Sequence, residues 1–239
     1  MTNYRVDTLE LGTFTTESGE TINNLKLRYE HVGYKGQPLV VVCHALTGNH
    51  LTYGTDEKHG WWREIIDGGY IPRHDYQFLT FNVIGSPFGS SSKLNDPNFP
   101  QHLTLRDIVK AIEKGIKALD FDKINILIGA SLGGMQAMEL LYNNHFQIDK
   151  AIILAATGKT SSYSRAFNEI ARQAIHLGGK EGLSIARQLG FLTYRSSKSY
   201  DQRFTPDEVV TYQQYQGNKF KKNFDLQCYL TPVSYTHLR

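Results

Sequence analysis

Apolar residues along this chain fall into three patterns, and each predicts a different element. From about Tyr4 to Tyr34 apolar and polar positions alternate, most clearly where Leu25, Leu27 and Tyr29 are separated by Lys26, Arg28 and Glu30. Gly12, Gly19 and Asn23–Asn24 punctuate that stretch, so it reads as half-exposed antiparallel strands at a sheet edge. A continuous apolar run follows at residues 39–43, as a strand covered on both faces requires, and largely apolar stretches at residues 78–83, 124–128 and 150–156 read as further central strands. Between them lie helical stripes. Leu105, Ile108, Val109, Ile112, Ile116 and Leu119 form one, opened by Thr104 with Asp107 three positions on, and Met135, Met138, Leu141 and Tyr142 mark another after Gly134. Alternation of buried strand and helix predicts an α/β fold built on a mostly parallel, doubly wound sheet.

Beyond residue 160 the pattern changes. Phe167, Ile170, Ala174 and Ile175 suit one helix, Leu183, Ala186, Leu189 and Gly190 a second, and Pro206 opens a third, with no central strand among them. The organisation predicted is a core over residues 1–160, an inserted helical lid over residues 161–230 above the strands' carboxyl ends, and a tail at residues 231–239.

Composition removes several function classes. A formal net charge of +3, with the longest basic run (Lys219 to Lys222) interrupted by Phe220, argues against a nucleic-acid partner. No apolar segment approaches the roughly 20 residues that span a bilayer, and residues 1–5 hold no apolar signal core, so no membrane is implied and the protein is expected in the cytoplasm. Cys43 and Cys228 form neither a disulfide framework nor a metal pattern, and no His, Cys or carboxylate cluster has ligand spacing, so no metal is implied. Gly158–Lys159–Thr160 lacks the glycine a phosphate loop needs five residues earlier, where Ile153 stands, and a dinucleotide fingerprint would need glycine in place of Ser131.

The chemistry concentrates at Gly129-Ala130-Ser131-Leu132-Gly133, a G-x-S-x-G sequence between a predicted strand and a predicted helix. In that context it is a nucleophile elbow, where small neighbours let a strained backbone push one hydroxyl clear of the sheet. One oxyanion donor is then the amide of Leu132. The other comes from the loop after an early central strand, here His44-Ala45-Leu46-Thr47-Gly48-Asn49, with Leu46 as the donor. Trp61 and Trp62 read as core and wall, and residues 85–92, rich in Gly, Ser and Pro, as a loop at the pocket rim. His102 and Asp107 match an H-x4-D spacing of some acyltransferases, but a capped helix start accounts better for Asp107.

Taken with Gly60-Trp61-Trp62, Gly134-Met135-Gln136, Ala166-Phe167-Asn168-Glu169, Arg172-Gln173-Ala174-Ile175, Gly182-Leu183-Ser184-Ile185-Ala186-Arg187 and Tyr215-Gln216-Gly217-Asn218-Lys219-Phe220, these motifs resemble the homoserine O-acetyltransferase family, α/β-hydrolase-fold enzymes of methionine biosynthesis. The resemblance runs to about Leu230. Leu132 stands where the family usually has Met. The resemblance implies that Ser131 takes an acetyl group from acetyl-CoA, a co-substrate and not a resident cofactor, and passes it to the hydroxyl of homoserine. It also implies that Arg187 and Tyr194 bind that amino acid, and that two copies pair through the lid helices as a homodimer. A hydrolase of the same fold is the alternative, because water and an amino-acid hydroxyl compete for one acyl-enzyme.

The family would supply an Asp and a His from strands after the lid. Residues 231–239 (Thr-Pro-Val-Ser-Tyr-Thr-His-Leu-Arg) do not continue the resemblance and read as translated adapter or vector sequence. Asp207, Asp225 and His237 have the correct order for a triad, yet no strand precedes them, while His44, His50 and His59 precede the serine. The expectation is therefore a catalytically incomplete chain without the triad Asp and His, whose sheet has an unpaired apolar edge.

Overall fold

The computed structural model describes residues 3–235, with side chains described through residue 230. The chain divides into two compact units, Met1–Gly158 and Lys159–Arg239.

The first unit is built on a six-stranded sheet. Its strands are β1 (Tyr4–Glu10), β4 (Lys26–Val32), β5 (Leu39–Cys43), β6 (Gln77–Phe81), β7 (Lys123–Ala130) and β8 (Gln147–Leu154), in the spatial order β1-β4-β6-β5-β7-β8. The short pair β2 (Phe14–Thr15) and β3 (Thr21–Ile22) stands apart. β1, β4 and β6 run antiparallel in turn, and β6, β5, β7 and β8 are parallel. Every residue of β5 and β6 is buried, the whole apolar run of β5 and, in β6, the polar Gln77 and Thr80 as well. Each fully buried aliphatic side chain contributes about 1.5–3 kcal/mol, which makes this central pair the rigid frame of the site.

Three helices complete the unit: α1 (Arg63–Asp67), α2 (Leu105–Ala118) and α3 (Leu132–Asn143). At the start of α2 the Thr104 hydroxyl accepts from the Asp107 amide while the Asp107 carboxylate accepts from the Thr104 amide. A second oxygen of Asp107 accepts from the Glu17 amide at 2.8 Å, so this carboxylate is structural.

Two sequence expectations need correction. The run at residues 150–156 is not a buried strand. It forms β8, the edge of the sheet, with Ile152 and Leu154 40% and 46% exposed, and among the described residues no strand pairs its outer side, so the strand lies at the unpaired apolar edge that was expected. An apolar run reports β-propensity on both faces but carries no information about how many neighbours the strand has. Helix α3 begins at Leu132 rather than after Gly134, and its buried face is Leu132, Gly133, Gly134, Gln136, Ala137 and Leu140, with Tyr142 80% exposed. Glycines, invisible to a hydrophobicity stripe, are the closest-packed positions there.

The second unit is helical: α4 (Ser162–Thr193), α5 (Ser197–Asp201), α6 (Pro206–Asn223) and α7 (Leu226–Tyr235). α4 is physically two helices broken at Gly179, whose φ of 53° and ψ of −123° lie outside the helical region. Past the break the backbone comes so close to Ala174 that a side-chain carbon on Gly182 would meet its carbonyl oxygen at 1.9 Å. α6 starts with Thr205 and Glu208 in reciprocal capping bonds and Pro206 in the first turn. Of the tail expected at residues 231–239, the backbone to Tyr235 continues α7, and His237 lies outside the described residues.

Candidate active site

Ser131 occupies the corner between β7 and α3 with φ 55° and ψ −121°, a conformation that costs a non-glycine residue roughly 1–3 kcal/mol. Glycines on both sides make it possible. A side-chain carbon on Gly129 would lie 2.1 Å from the Gly133 carbonyl oxygen, and one on Gly133 would lie 2.0 Å from that of Cys43. The strained corner is therefore held by backbone packed on backbone, with the first turn of α3 against the end of β5.

That packing sets the oxyanion loop beside the elbow. Cys43 and Gly129 are register partners on adjacent parallel strands, so residues 44–49 and Ser131 emerge from the same end of the sheet. The hydroxyl side is open: Ser131 is exposed and, among the described residues, its side chain makes no hydrogen bond. Leu132 is the first residue of α3, whose opening amides have no intrahelical acceptor and whose axis presents its positive end there. Leu46 sits inside the turn closed by the Gly48 amide donating to the Ala45 carbonyl at 2.9 Å. No hydrogen bond among the described residues takes up the Leu46 or Leu132 amide.

His44, at the mouth of this loop, has a role that sequence reasoning missed. It is completely buried, its Nε2 accepts from the Val83 amide at 3.1 Å, and its Nδ1 donates to the Ala45 carbonyl at 2.8 Å. An amide can only donate, so Nε2 is unprotonated and the ring is neutral. Burial pushes its pKa down to about 4. The imidazole is a strut that ties the end of β5 to the chain leaving β6, and both nitrogens are occupied, so it cannot act as the base for Ser131. Gln136 adds a second brace, its Nε2 donating to the His44 carbonyl at 3.3 Å. Trp61 adds a third through its indole nitrogen, which donates to the Asn49 carbonyl at 3.0 Å. The sequence signal for these braces was the polar residue at the end of an apolar run, which marks a site without telling what the side chain bonds.

His50 is likewise driven down to about 4, by burial and by the positive charge of Arg28. For both imidazoles the folded pKa lies below the ordinary 6.5, so the unfolded chain takes up protons first as pH falls. The stability they contribute is complete above about pH 6.5 and is lost toward pH 4. For His44 alone the loss at pH 5 is about 2 kcal/mol. Thermal melts should therefore shift to lower temperature between pH 7 and pH 5, above the range where ordinary carboxylates titrate. A flat melting temperature over that window would contradict the neutral-strut assignment.

Both carboxylates considered as triad members stand at helix starts of the second unit. Asp225 accepts from the Gln227 and Cys228 amides as the cap of α7, and Asp207 lies in the first turn of α6. Among the described residues no imidazole or carboxylate hydrogen-bonds to Ser131.

Within the second unit, Arg187 and Tyr194 are brought into one cluster. The Arg187 guanidinium stacks between Phe191 and Phe220, 4.5 Å and 4.9 Å from their centroids. Phe191 meets Tyr194 edge-on at 5.9 Å. Stacking covers the faces of the guanidinium and leaves its in-plane N–H groups for a planar anion, and among the described residues no carboxylate pairs with it. Tyr229, which sequence reasoning passed over, is buried beside them. Its pKa is pushed up to about 12, first by burial and then by Tyr194, with Arg187 opposing.

Known proteins share this fold and place the chain in a family. Residues 38–177 match the alpha/beta hydrolase fold family. The crystal structure of homoserine O-acetyltransferase from Staphylococcus aureus is 84% identical with a TM-score of 0.94, over 97% of this chain and 71% of that one. A homoserine O-acetyltransferase of Methanobrevibacter ruminantium is 32% identical over 96% of this chain and 57% of its own length. A homoserine O-succinyltransferase of Hahella chejuensis is 32% identical over 90% of this chain and 68% of its own length. This chain thus spans between about half and two thirds of those two curated relatives. Esterase E22, at 20% identity and a TM-score of 0.78, shares the fold alone. This chain belongs to the homoserine O-acetyltransferase family, on the α/β-hydrolase fold.

Proposed function

We propose that Ser131 is the nucleophile of an acyl transfer from acetyl-CoA to the hydroxyl of L-homoserine, a step of methionine biosynthesis. The carrying observation is the positive-φ serine at the head of α3, beside a loop locked by His44. In the first half-reaction the Ser131 oxygen attacks the thioester carbonyl, the Leu46 and Leu132 amides hold the oxyanion, and the carbon–sulfur bond breaks as the thiol leaves with a proton. In the second, the homoserine hydroxyl attacks the acetyl-serine and Ser131 regains its proton. Each oxyanion donor is worth roughly 2.7–4 kcal/mol in the transition state. Acetyl is favoured over succinyl because the relative at 84% identity carries the acetyl name. A cytoplasmic location accords with two buried, unbridged cysteines.

Arg187 is assigned the homoserine carboxylate, with Tyr194 as its companion. Arg187→Lys keeps the charge and loses the planar fork, so it should raise KM for homoserine by about tenfold or more with a smaller effect on kcat. An unchanged KM would remove Arg187 from the acceptor site.

Thiol release from acetyl-CoA, measured with and without homoserine on this chain and on its Ser131→Ala variant, separates the readings. Homoserine-dependent release that needs Ser131 supports transfer. Release indifferent to homoserine supports a hydrolase, and homoserine-dependent release that survives Ser131→Ala overturns the nucleophile. No release from either form counts against acyl transfer by this chain.

A further inference from the structure

Phe220 closes the motif Tyr215-Gln216-Gly217-Asn218-Lys219-Phe220, which the acyl-transfer chemistry leaves unused. It lies on α6, which runs antiparallel to the second half of α4: Tyr212 meets Phe191 edge-on at 5.7 Å, and Lys221 pairs with Glu181 at 2.7 Å. At Gly217 the two helices come into close contact. A side-chain carbon there would stand 2.3 Å from the Ser184 hydroxyl oxygen and 2.8 Å from the Gln188 side-chain nitrogen, residues that flank Arg187 on α4. One turn beyond Gly217, Phe220 is carried over the Arg187 guanidinium, 4.9 Å from ring centroid to carbon, while Phe191 covers it at 4.5 Å.

The Phe220 ring is itself held in place. Phe224 stacks on it at 4.8 Å with 18° between the planes, and Tyr229 meets it edge-on at 5.9 Å; both of these supports are buried. The rings are what orients the cation. Among the described residues the Arg187 guanidinium makes no hydrogen bond and no ion pair, and Glu181, the acidic residue nearest to it along α4, is engaged by Lys221. A free arginine side chain has large rotamer freedom that a ligand must freeze on binding, and a guanidinium already held flat between rings has lost most of it beforehand.

We propose that Phe220 is a positioning residue for the acceptor: it holds the Arg187 guanidinium in one plane, so that the fork of N–H donors is aimed before a planar carboxylate arrives. The proposal rests on the assignment of Arg187 to the homoserine carboxylate and adds what aims it. Tyr229 and Phe224 act one step further back, as the support of the Phe220 ring.

The test is calorimetric titration of the full chain with homoserine, comparing Phe220→Leu, Phe220→Tyr, Arg187→Lys and the double variant of Phe220→Leu with Arg187→Lys. Leucine fills apolar space without a flat face, so Phe220→Leu is expected to weaken binding by about fivefold or more, and Phe220→Tyr, which keeps the ring, to stay within about twofold. Because Phe220 acts through Arg187, the double variant should bind no more weakly than Arg187→Lys alone, whereas a merely structural role would add a loss of its own. Melting curves check the fold, and should Phe220→Leu fail to fold, Phe191→Leu removes the other face and carries the same expectations. Unchanged binding on loss of the flat face, or a loss that adds in full in the double variant, would overturn the positioning role. The two readings fail separately. Binding weakened by Arg187→Lys but not by Phe220→Leu removes the role of Phe220 alone, whereas no homoserine binding, or binding indifferent to Arg187→Lys, removes Arg187 from the acceptor site and the role of Phe220 with it.

Discussion

Homoserine-dependent thiol release is expected to fall by a factor on the order of 10⁴ to 10⁶ when Ser131 becomes alanine, with the melting temperature almost unchanged. The two halves of that expectation have different causes. Loss of rate follows from removing the oxygen that would carry the acetyl group, which neither oxyanion amide can replace. Preserved stability follows from the structure: the serine side chain is exposed, makes no hydrogen bond among the described residues, and has the same Cβ as alanine in the positive-φ corner. Mass spectrometry of the chain with acetyl-CoA should correspondingly find acetyl on residue 131 and lose it in the variant. A variant that keeps more than about a tenth of any homoserine-dependent rate would mean that another group carries the acyl, or that transfer is direct.

Gly133→Ala is expected to have the largest effect on stability. Its new methyl would stand 2.0 Å from the Cys43 carbonyl oxygen and 2.9 Å from that of His44, both backbone atoms that cannot swing aside. Relief requires moving α3 away from β5, which separates the elbow from the oxyanion loop. Overpacking of this kind costs roughly 1–3 kcal/mol, and more where backbone must shift, so a loss of about 3 kcal/mol and a fall in melting temperature of about 6–12 °C are anticipated. Gly178→Ala is the control. Nothing lies within 4 Å of its added carbon, and in a helix the change should be neutral or stabilising by up to about 1 kcal/mol. If both variants melt together, close packing between the elbow and β5 is not what holds the site.

Local chemistry was legible wherever a residue's role depends on its chain neighbours. The capping pair Thr104 and Asp107, the Pro206 helix start and the G-x-S-x-G corner all act over fewer than six positions, and each stands as read. The alternating edge strands and continuous central strands were legible too, because a strand's period of two prints its burial onto its sequence. The parallel direction of β5, β6, β7 and β8 followed from the alternation of strands with helices, whereas their spatial order did not.

What the tertiary structure alone decided involves partners far apart in the chain. The expected unpaired edge falls on β8, whose apolar run looks like that of β5, and only the sheet order makes one an edge and the other a centre. His44 stands at the end of a central strand, and Val83, 39 residues away, makes it a neutral strut. The same holds for Arg28, which reaches His50 across 22 positions, and for Tyr229 beside Arg187. Propensity and periodicity are properties of neighbouring residues. A proton's position, a strand's exposed side and a cavity's charge depend on which distant groups share the space, and those contacts exist only after the chain has folded.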